Sequence, residues 1–277
     1  GDALNGTLDK LNLGLDLANA TAYVTDMQVT MTPADSGTST VYTATGSGLS
    51  INLSNNGFEL FNGLLAYSEQ DSACVNGCRT QLAAFATGPT GKALGSNYII
   101  HGAMGSSIQG VALLQQDGLP FPIRDSLADT ESGASSNIFP MYTMASTVAD
   151  GDGDMAVFNV MADFEQTPGA NQGGLLSLTD RNASTPLFTS NDAGFVNLMT
   201  DKVNQISIGE ITGGTVFYEG NVPLVNNVSF MPYVIGIDTG IVPDGNTRVS
   251  YTLATLNGAA FASTPRFNDG RNLGATL

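Results

Sequence analysis

Hydrophobic and polar residues alternate along much of this chain with the two-residue period of β-strands. Two early segments show the alternation clearly, with apolar residues at every second position from Leu11 to Leu17 and from Met27 to Met31. Later strands are predicted at Met155–Met161, Gly174–Leu178, Val203–Ile211, Thr215–Tyr218, Val228–Ile237 and Thr247–Leu256. Helical periodicity is confined to one short candidate, Asp192–Asp201. The pattern therefore predicts an all-β protein with little helix.

The segment from Ser39 to Gln115 is a series of short strand-like stretches separated by turn residues. Asn56-Gly57 and Asn62-Gly63 interrupt the alternation, and Asn-Gly favours the tight turn of a β-hairpin because both positions tolerate a positive φ. Strands joined by such turns pair antiparallel. We expect an antiparallel β-barrel or sandwich.

A change of composition suggests how the chain is divided. Residues 117–149 carry Pro120, Pro122 and Pro140 together with a Ser/Gly-rich stretch, and they lack clear alternation. This predicts a barrel-like domain at 1–116, a connector at 117–149 and a second β-rich domain at 150–277. The pattern leaves open whether the last domain continues the same barrel through the chain termini.

Two cysteines flank an Asn-Gly step, in the order Cys74-Val-Asn-Gly-Cys78. The spacing suits a disulfide that fixes the tip of a hairpin, and such bonds persist in oxidising compartments. A zinc site would need more ligands than these two cysteines and His101, the single histidine. We therefore expect a disulfide and a secreted or cell-surface location.

Acidic residues greatly outnumber basic ones, 25 against 9, which gives a net charge of −16. Phosphate backbones and anionic bilayers would be repelled by such a surface, so nucleic acid is not an expected partner. Insertion into a membrane is not expected either, because no apolar run approaches the roughly 18 residues of a spanning helix.

Three aspartates alternate with glycines in Asp150-Gly-Asp152-Gly-Asp154. Alternate carboxylates on a flexible loop can surround a hard cation, so this is the candidate calcium site and calcium the one candidate cofactor. The loop departs from the EF-hand pattern at Met155 and Met161. The alternative is a solvated acidic turn.

The sequence carries no recognisable catalytic set. His101 is the only histidine, no Gly-x-Ser-x-Gly elbow accompanies it, and the chain has no tryptophan to stack a sugar. Haem ligation is conceivable at His101, Tyr23, Tyr98 or Tyr218, although no spacing distinguishes one of them. We expect that the protein is not an enzyme.

Strand-like patterns reach both ends of the sequence. Read from tail to head, the final segment would run into Asn5-Gly6 and then the Leu11–Leu17 strand. This suits a permuted chain, one unit of a tandem array, or a subunit completed by a strand of its neighbour; the alternative is ragged processing. An incomplete sheet edge invites pairing with another chain. The predicted self-assembly residues are Leu4, Leu8, Leu273, Ala275 and Leu277.

Three features of the Ser39–Gln115 segment resemble the transferrin-binding-protein-type β-barrel, including the form found at the C-terminus of FecR-type proteins. They are the strand Gly46–Leu53, the cysteine pair, and the run Phe85–Gly95 followed by Tyr98–Ile100 and Gly110–Leu114. Val228–Leu256 resembles the segment that precedes this barrel in FecR-type chains, but here it lies downstream. The resemblance implies a non-enzymatic module of a bacterial surface. Some modules of this family bind host iron carriers or haem.

These observations predict an extracellular structural subunit that joins copies of itself by strand complementation into a surface or matrix assembly such as a filament. One alternative is a surface module that binds a host protein, an iron carrier or haem. Another is the sensor-side domain of a FecR-type regulator.

Overall fold

The structure is a computed structural model of the chain. It describes residues 5–32, 38–54, 57–60, 63–87, 92–102, 106–116, 138–148, 155–166, 175–180, 184–189, 194–201, 206–218, 222–226, 228, 231–236, 248–256, 259–260, 262 and 266–268. Every regular element in these ranges is a β-strand, and every described pairing between strands is antiparallel. The predicted all-β fold class is confirmed.

The first half of the chain and its last strands build a closed eight-stranded barrel. Its strands are β1 (Asn5–Asp16), β2 (Thr21–Thr32), β3 (Thr40–Ser50), β4 (Asn52–Ser54), β5 (Gly57–Leu60), β6 (Leu65–Tyr67), β7 (Cys78–Thr87), β8 (Ala93–His101) and β9 (Ser107–Gln116), followed far along the chain by β19 (Arg248–Leu253) and β22 (Arg266–Asn268). Some of the eight places in the barrel wall are filled by two short strands placed end to end. Strand β4 continues β3 in one such wall position, and β5 and β6 share another beside β7. Strands β19 and β22 likewise share the last position, between β9 and β1.

The barrel interior is packed with large apolar side chains. One face of β1 buries Leu8, Leu11, Leu13 and Leu15, and β2 adds Met27 among others. Tyr98 of β8 lies opposite Gly110 of β9, where a Cβ atom would approach the tyrosine hydroxyl to 2.4 Å. The glycine thus makes room for the ring. The interior of a small barrel is filled in this way when it does not hold a ligand.

A second sheet covers part of the barrel's outer wall. Its strands are β10 (Ile138–Val148), β11 (Met155–Gln166), β12 (Leu175–Asp180), β13 (Thr185–Thr189), β14 (Gly194–Asp201), β15 (Ile206–Thr212), β16 (Thr215–Tyr218), β17 (Val222–Asn226) and β18 (Met231–Gly236). They lie in the order β14-β15-β18-β10-β11-β12-β13-β16-β17. In the chain, this sheet is inserted between β9 and β19.

Contact between the two sheets explains why β8 is buried along nearly its whole length, whereas most barrel strands bury one face. Phe85 and Leu113 on the outside of the barrel pack against Ile206 and Val234 of the second sheet. Gly95 lies among these side chains, and a Cβ there would meet Phe85, Val234 and Ile206 at 2.8 to 2.9 Å. The absence of a side chain at this position lets the sheets approach closely.

One element prediction is wrong. The helical candidate Asp192–Asp201 contains strand β14, which pairs with β15 from Gly194↔Thr212 to Asp201↔Ile206. Pairing along a sheet outweighs a weak local preference for helix. A short hairpin of β20 (Thr255–Leu256) and β21 (Ala259–Ala260) follows β19.

Candidate interaction surface

Among the side chains whose exposure the structure describes, three large apolar ones are exposed, and all three belong to one hairpin of the barrel. Leu65 is 36% exposed, Tyr67 45% and Val75 53%. Leu65 and Tyr67 lie on β6, and Val75 lies in the loop that leads from β6 to β7. We call this set the tip patch. Clustered exposed apolar residues mark interaction sites more often than scattered ones do.

The alternation of β6 places two members of the tip patch on the outer surface. Ala66 is fully buried in the barrel, so the residues on either side of it point outward. Gly77 lies beneath them, where an added Cβ would be 3.0 Å from the Tyr67 ring and 3.2 Å from Leu65. Its φ of +95° strongly favours glycine. The lack of a side chain at Gly77 therefore leaves room for the side chains of Leu65 and Tyr67 to pack over its backbone.

The predicted disulfide is confirmed and anchors the loop that carries Val75. Cys74 and Cys78 are bonded, with their Cα atoms 4.8 Å apart, and they are 1% and 5% exposed within the barrel core. Backbone hydrogen bonds reinforce the loop: Gly77 N–H donates to the Cys74 carbonyl at 3.0 Å, and Cys74 N–H donates to the Asp71 carbonyl at 2.9 Å. A loop tied at this many points presents Val75 in a fixed position.

A tyrosine from the barrel wall holds the other side of the loop. Tyr42 is 5% exposed, and its hydroxyl donates a hydrogen bond of 2.9 Å to Oδ2 of Asp71. Burial, and then the Asp71 carboxylate, raise the pKa of Tyr42 far above its ordinary value. The hydroxyl therefore stays protonated and remains a donor at physiological pH.

The surroundings of the tip patch are polar and carry charges of both signs, because exposed Glu69 lies in the same loop as Val75. Thr43 and Thr45 of β3 pair with Tyr67 and Leu65 and are exposed. Arg79 of β7 pairs with Leu65 on the other side and is also exposed. Tyrosine and arginine beside aliphatic groups are the composition that protein interfaces favour. The arrangement can bind another protein surface.

Most of the predicted self-assembly and calcium residues lie outside the described part of the chain. These are Leu4, Leu273, Ala275 and Leu277, and the aspartates Asp150, Asp152 and Asp154. Leu8 is described, and its side chain is 2% exposed inside the barrel. Within the described residues, no group of three or more histidine, cysteine, aspartate or glutamate side chains is placed to hold a metal ion.

The other chemical candidates lie on three strands, β8, β2 and β16. Nε2 of His101 lies 3.0 Å from Oε1 of Gln81, and burial, with a smaller effect of Arg79, lowers the pKa of the imidazole. Tyr98 is fully buried in the barrel. Tyr23 lies under the Arg248 guanidinium at 5.9 Å, and Tyr218 ends β16.

Sequence reasoning located the disulfide loop but missed the tip patch. Alternation alone does not tell which apolar residues face outward on a strand as short as β6. The signal that could have identified it is Val75 inside a five-residue disulfide ring, where no side chain can reach a core easily.

Comparison with known proteins gives no relative: no family model, no curated protein and no solved structure matches the chain. In the described ranges, no helix has the length and apolarity to cross a membrane.

Proposed function

We propose that this protein is a non-enzymatic extracellular structural subunit that self-associates into a surface or matrix assembly, with the tip patch as one contact between copies. The observation that carries the proposal is the tip patch itself, which holds the exposed large apolar side chains among those whose exposure the structure describes. Burying them against another surface is favourable because apolar area leaves water.

The small size of the patch favours a repeated contact over a tight one-to-one complex. Its three side chains expose on the order of 250 Å², whereas stable complexes bury about 800 Å² per partner. Such a contact is weak alone and becomes effective when many copies engage at once. An assembly of identical subunits provides that repetition.

Charge contributes at one point of the contact and opposes association elsewhere. Arg79 beside the tip patch is one of 9 basic residues in a chain of net charge −16. It can attract a carboxylate of a second copy, whereas the net charges of the two copies repel each other, so burial of the apolar side chains supplies the main driving force.

Light scattering after size-exclusion chromatography, together with electron microscopy, tests the proposal over a concentration series with and without calcium. The wild-type mass should rise above 28.6 kDa as concentration increases. The double variant Tyr67→Ser/Val75→Ser should require a higher concentration. The control Thr25→Ala, also exposed, should behave as the wild type. A wild-type protein that stays a compact monomer throughout would reject the proposal.

A second candidate is a surface module that binds a different protein, since the disulfide and the Tyr42–Asp71 bond hold the loop rigid as in a preorganised binding site. Pull-down from serum distinguishes the two candidates. A specific serum protein retained by the wild type and lost with Tyr67→Ser/Val75→Ser, while self-association is absent, would favour the second.

A further inference from the structure

The last wall position of the barrel, between β9 and β1, is filled by strands from a distant part of the chain. Each of the other seven positions is filled by a strand that pairs with a neighbour next to it in the chain. The last is filled by β19 and β22, which follow only after the whole second sheet. We call Arg248–Asn268 the closing segment. It can change partners without breaking any other hairpin of the barrel.

Among the described residues, the closing segment pairs with β1 only near the two ends of β1. Strand β19 pairs with Asn12 to Asp16 of β1, and β22 adds the single pair Asn5↔Arg266. Between them, β20 and β21 pair with each other as a separate two-stranded sheet. Within the described residues, this seam has fewer paired positions than β1 has with β2 on its other side.

The side chains of the closing segment nevertheless belong to the core. Val249 is 4% exposed and Tyr251 1%, and both pack in the barrel interior. At the end of the seam, Arg248 Nε donates to Oδ2 of Asp16 at 3.0 Å, and Asn19 donates to the same carboxylate. A barrel without this segment would expose its core and two strand edges, so the position must be filled.

We propose that the closing segment is exchanged between copies, so that residues 248–268 of one subunit complete the barrel wall of another. This inference rests on the proposed self-association and specifies its strand contact. Exchange remakes the same register pairs and the same buried contacts, so its balance is set mainly by protein concentration. Each copy donates one segment and accepts one, which gives either reciprocal dimers or open chains.

The connection between the second sheet and β19 is long enough for the exchange. Residues 237–247 join Gly236 to Arg248. An extended chain covers ~3.3 Å per residue, so a connection of this length can span up to roughly 36 Å. That reach is several times the spacing of about 4.8 Å between neighbouring strands of a sheet.

Cysteine crosslinking across the seam tests the proposal. Gly14 and Ser250 are register partners, Ser250 is exposed, and a Cβ at Gly14 has its nearest neighbour at 3.7 Å. The native cysteines are bonded to each other, so the new thiols in Gly14→Cys/Ser250→Cys can pair only with one another. The matched control, Gln28→Cys/Thr43→Cys, links β2 to β3, which adjoin in the chain.

Both variants are oxidised with diamide, which takes two electrons and two protons from each thiol pair, and are then separated on a non-reducing denaturing gel. In dilute solution both should give crosslinked monomers, which verifies the geometry. After assembly at high concentration, the seam variant should give linked dimers if exchange is reciprocal, or a ladder of linked chains if it is open, and the control should give only monomers. Monomeric crosslinks in a seam variant that has assembled by microscopy would overturn the exchange while leaving self-association intact. Failure of the wild type to assemble would instead count against the proposed function.

Discussion

Two buried tyrosines of the barrel differ in what their hydroxyl groups contact. The Tyr42 hydroxyl donates to Asp71, whereas the Tyr98 hydroxyl has no hydrogen-bond partner among the described residues. Burial, and then the charge of Asp9, raise the pKa of Tyr98 far above its ordinary value, so its hydroxyl remains neutral. An unpaired hydroxyl in an apolar interior opposes folding because it has lost its hydrogen bonds to water.

This difference predicts opposite effects of the same substitution. Tyr98→Phe should raise the free energy of unfolding by about 1 kcal/mol, because it removes a buried polar group that gains nothing in the fold. Tyr42→Phe should lower it by about 1 kcal/mol, because Asp71 loses its donor. Urea denaturation followed by circular dichroism measures both. Equal losses of stability in the two variants would show that the Tyr98 hydroxyl has a partner.

At the scale of elements, one carboxylate connects β1 and β19 through its side chain at the end of their seam. The Asp16 side chain is 6% exposed and accepts hydrogen bonds from Asn19 and Arg248. The side-chain bond from Asn19, followed by that from Arg248, lowers the pKa of Asp16 below its ordinary value of 3.8. Folding therefore favours the ionised form of this group.

The seam should consequently weaken in acid. The contribution of Asp16 is fully present above its unfolded pKa, near 3.8, and is lost as the pH falls through the lower folded value. Asp16→Asn should be less stable than the wild type at pH 7, and the difference should shrink below pH ~4. Urea midpoints across this range test it, with Asp26→Asn, which removes an exposed ion pair to Lys10, as the control. A difference that stays constant with pH would contradict the role of Asp16.

Local pattern predicted many of the strands but missed others, such as β10, which lies in the predicted connector, and it did not predict all the connections. The reversal predicted near Asn56-Gly57 is present, since β4 and β5 pair antiparallel with Ser54 opposite Gly57, which is the first residue of β5. No reversal occurs at Asn62-Gly63, because β5 and β6 both run antiparallel to β7 and so point the same way. Gly63 has a φ of +91°, which redirects the chain without turning it back. An Asn-Gly step permits such a backbone, and neighbouring strands decide whether it becomes a hairpin.

Contacts between residues far apart in the chain could not be predicted from local alternation either. The closing segment pairs with strands more than a hundred residues earlier, and such a contact leaves no local periodicity. The outward burial of Phe85 and Leu113 depends on the second sheet, so these positions look like ordinary barrel residues in the sequence. The tip patch shows the opposite case. Its apolar residues look like core residues in the sequence, and they are exposed because no other described element packs over them.

For the whole molecule, the position of the second sheet links its stability to that of the barrel. It is inserted between β9 and the closing segment, and it contributes Ile206, Ile208 and Val234 to the cluster on the outer wall. Loss of that cluster would expose the outward faces of β7, β8 and β9. The two sheets should therefore unfold in one cooperative transition.

Ile206→Ala tests this coupling, because Ile206 belongs to the second sheet and is 1% exposed at the contact. Removing its side chain should lower the free energy of unfolding by about 2 to 5 kcal/mol through lost burial and a cavity. The informative probe is hydrogen exchange at the amides of β8, which lies in the barrel. The free energy of exchange at these amides should fall by about as much as the free energy of unfolding. Exposed Thr25→Ala is the control and should leave these rates unchanged. Unaltered protection of β8 in a destabilised Ile206→Ala protein would mean that the barrel folds independently of the sheet inserted into it.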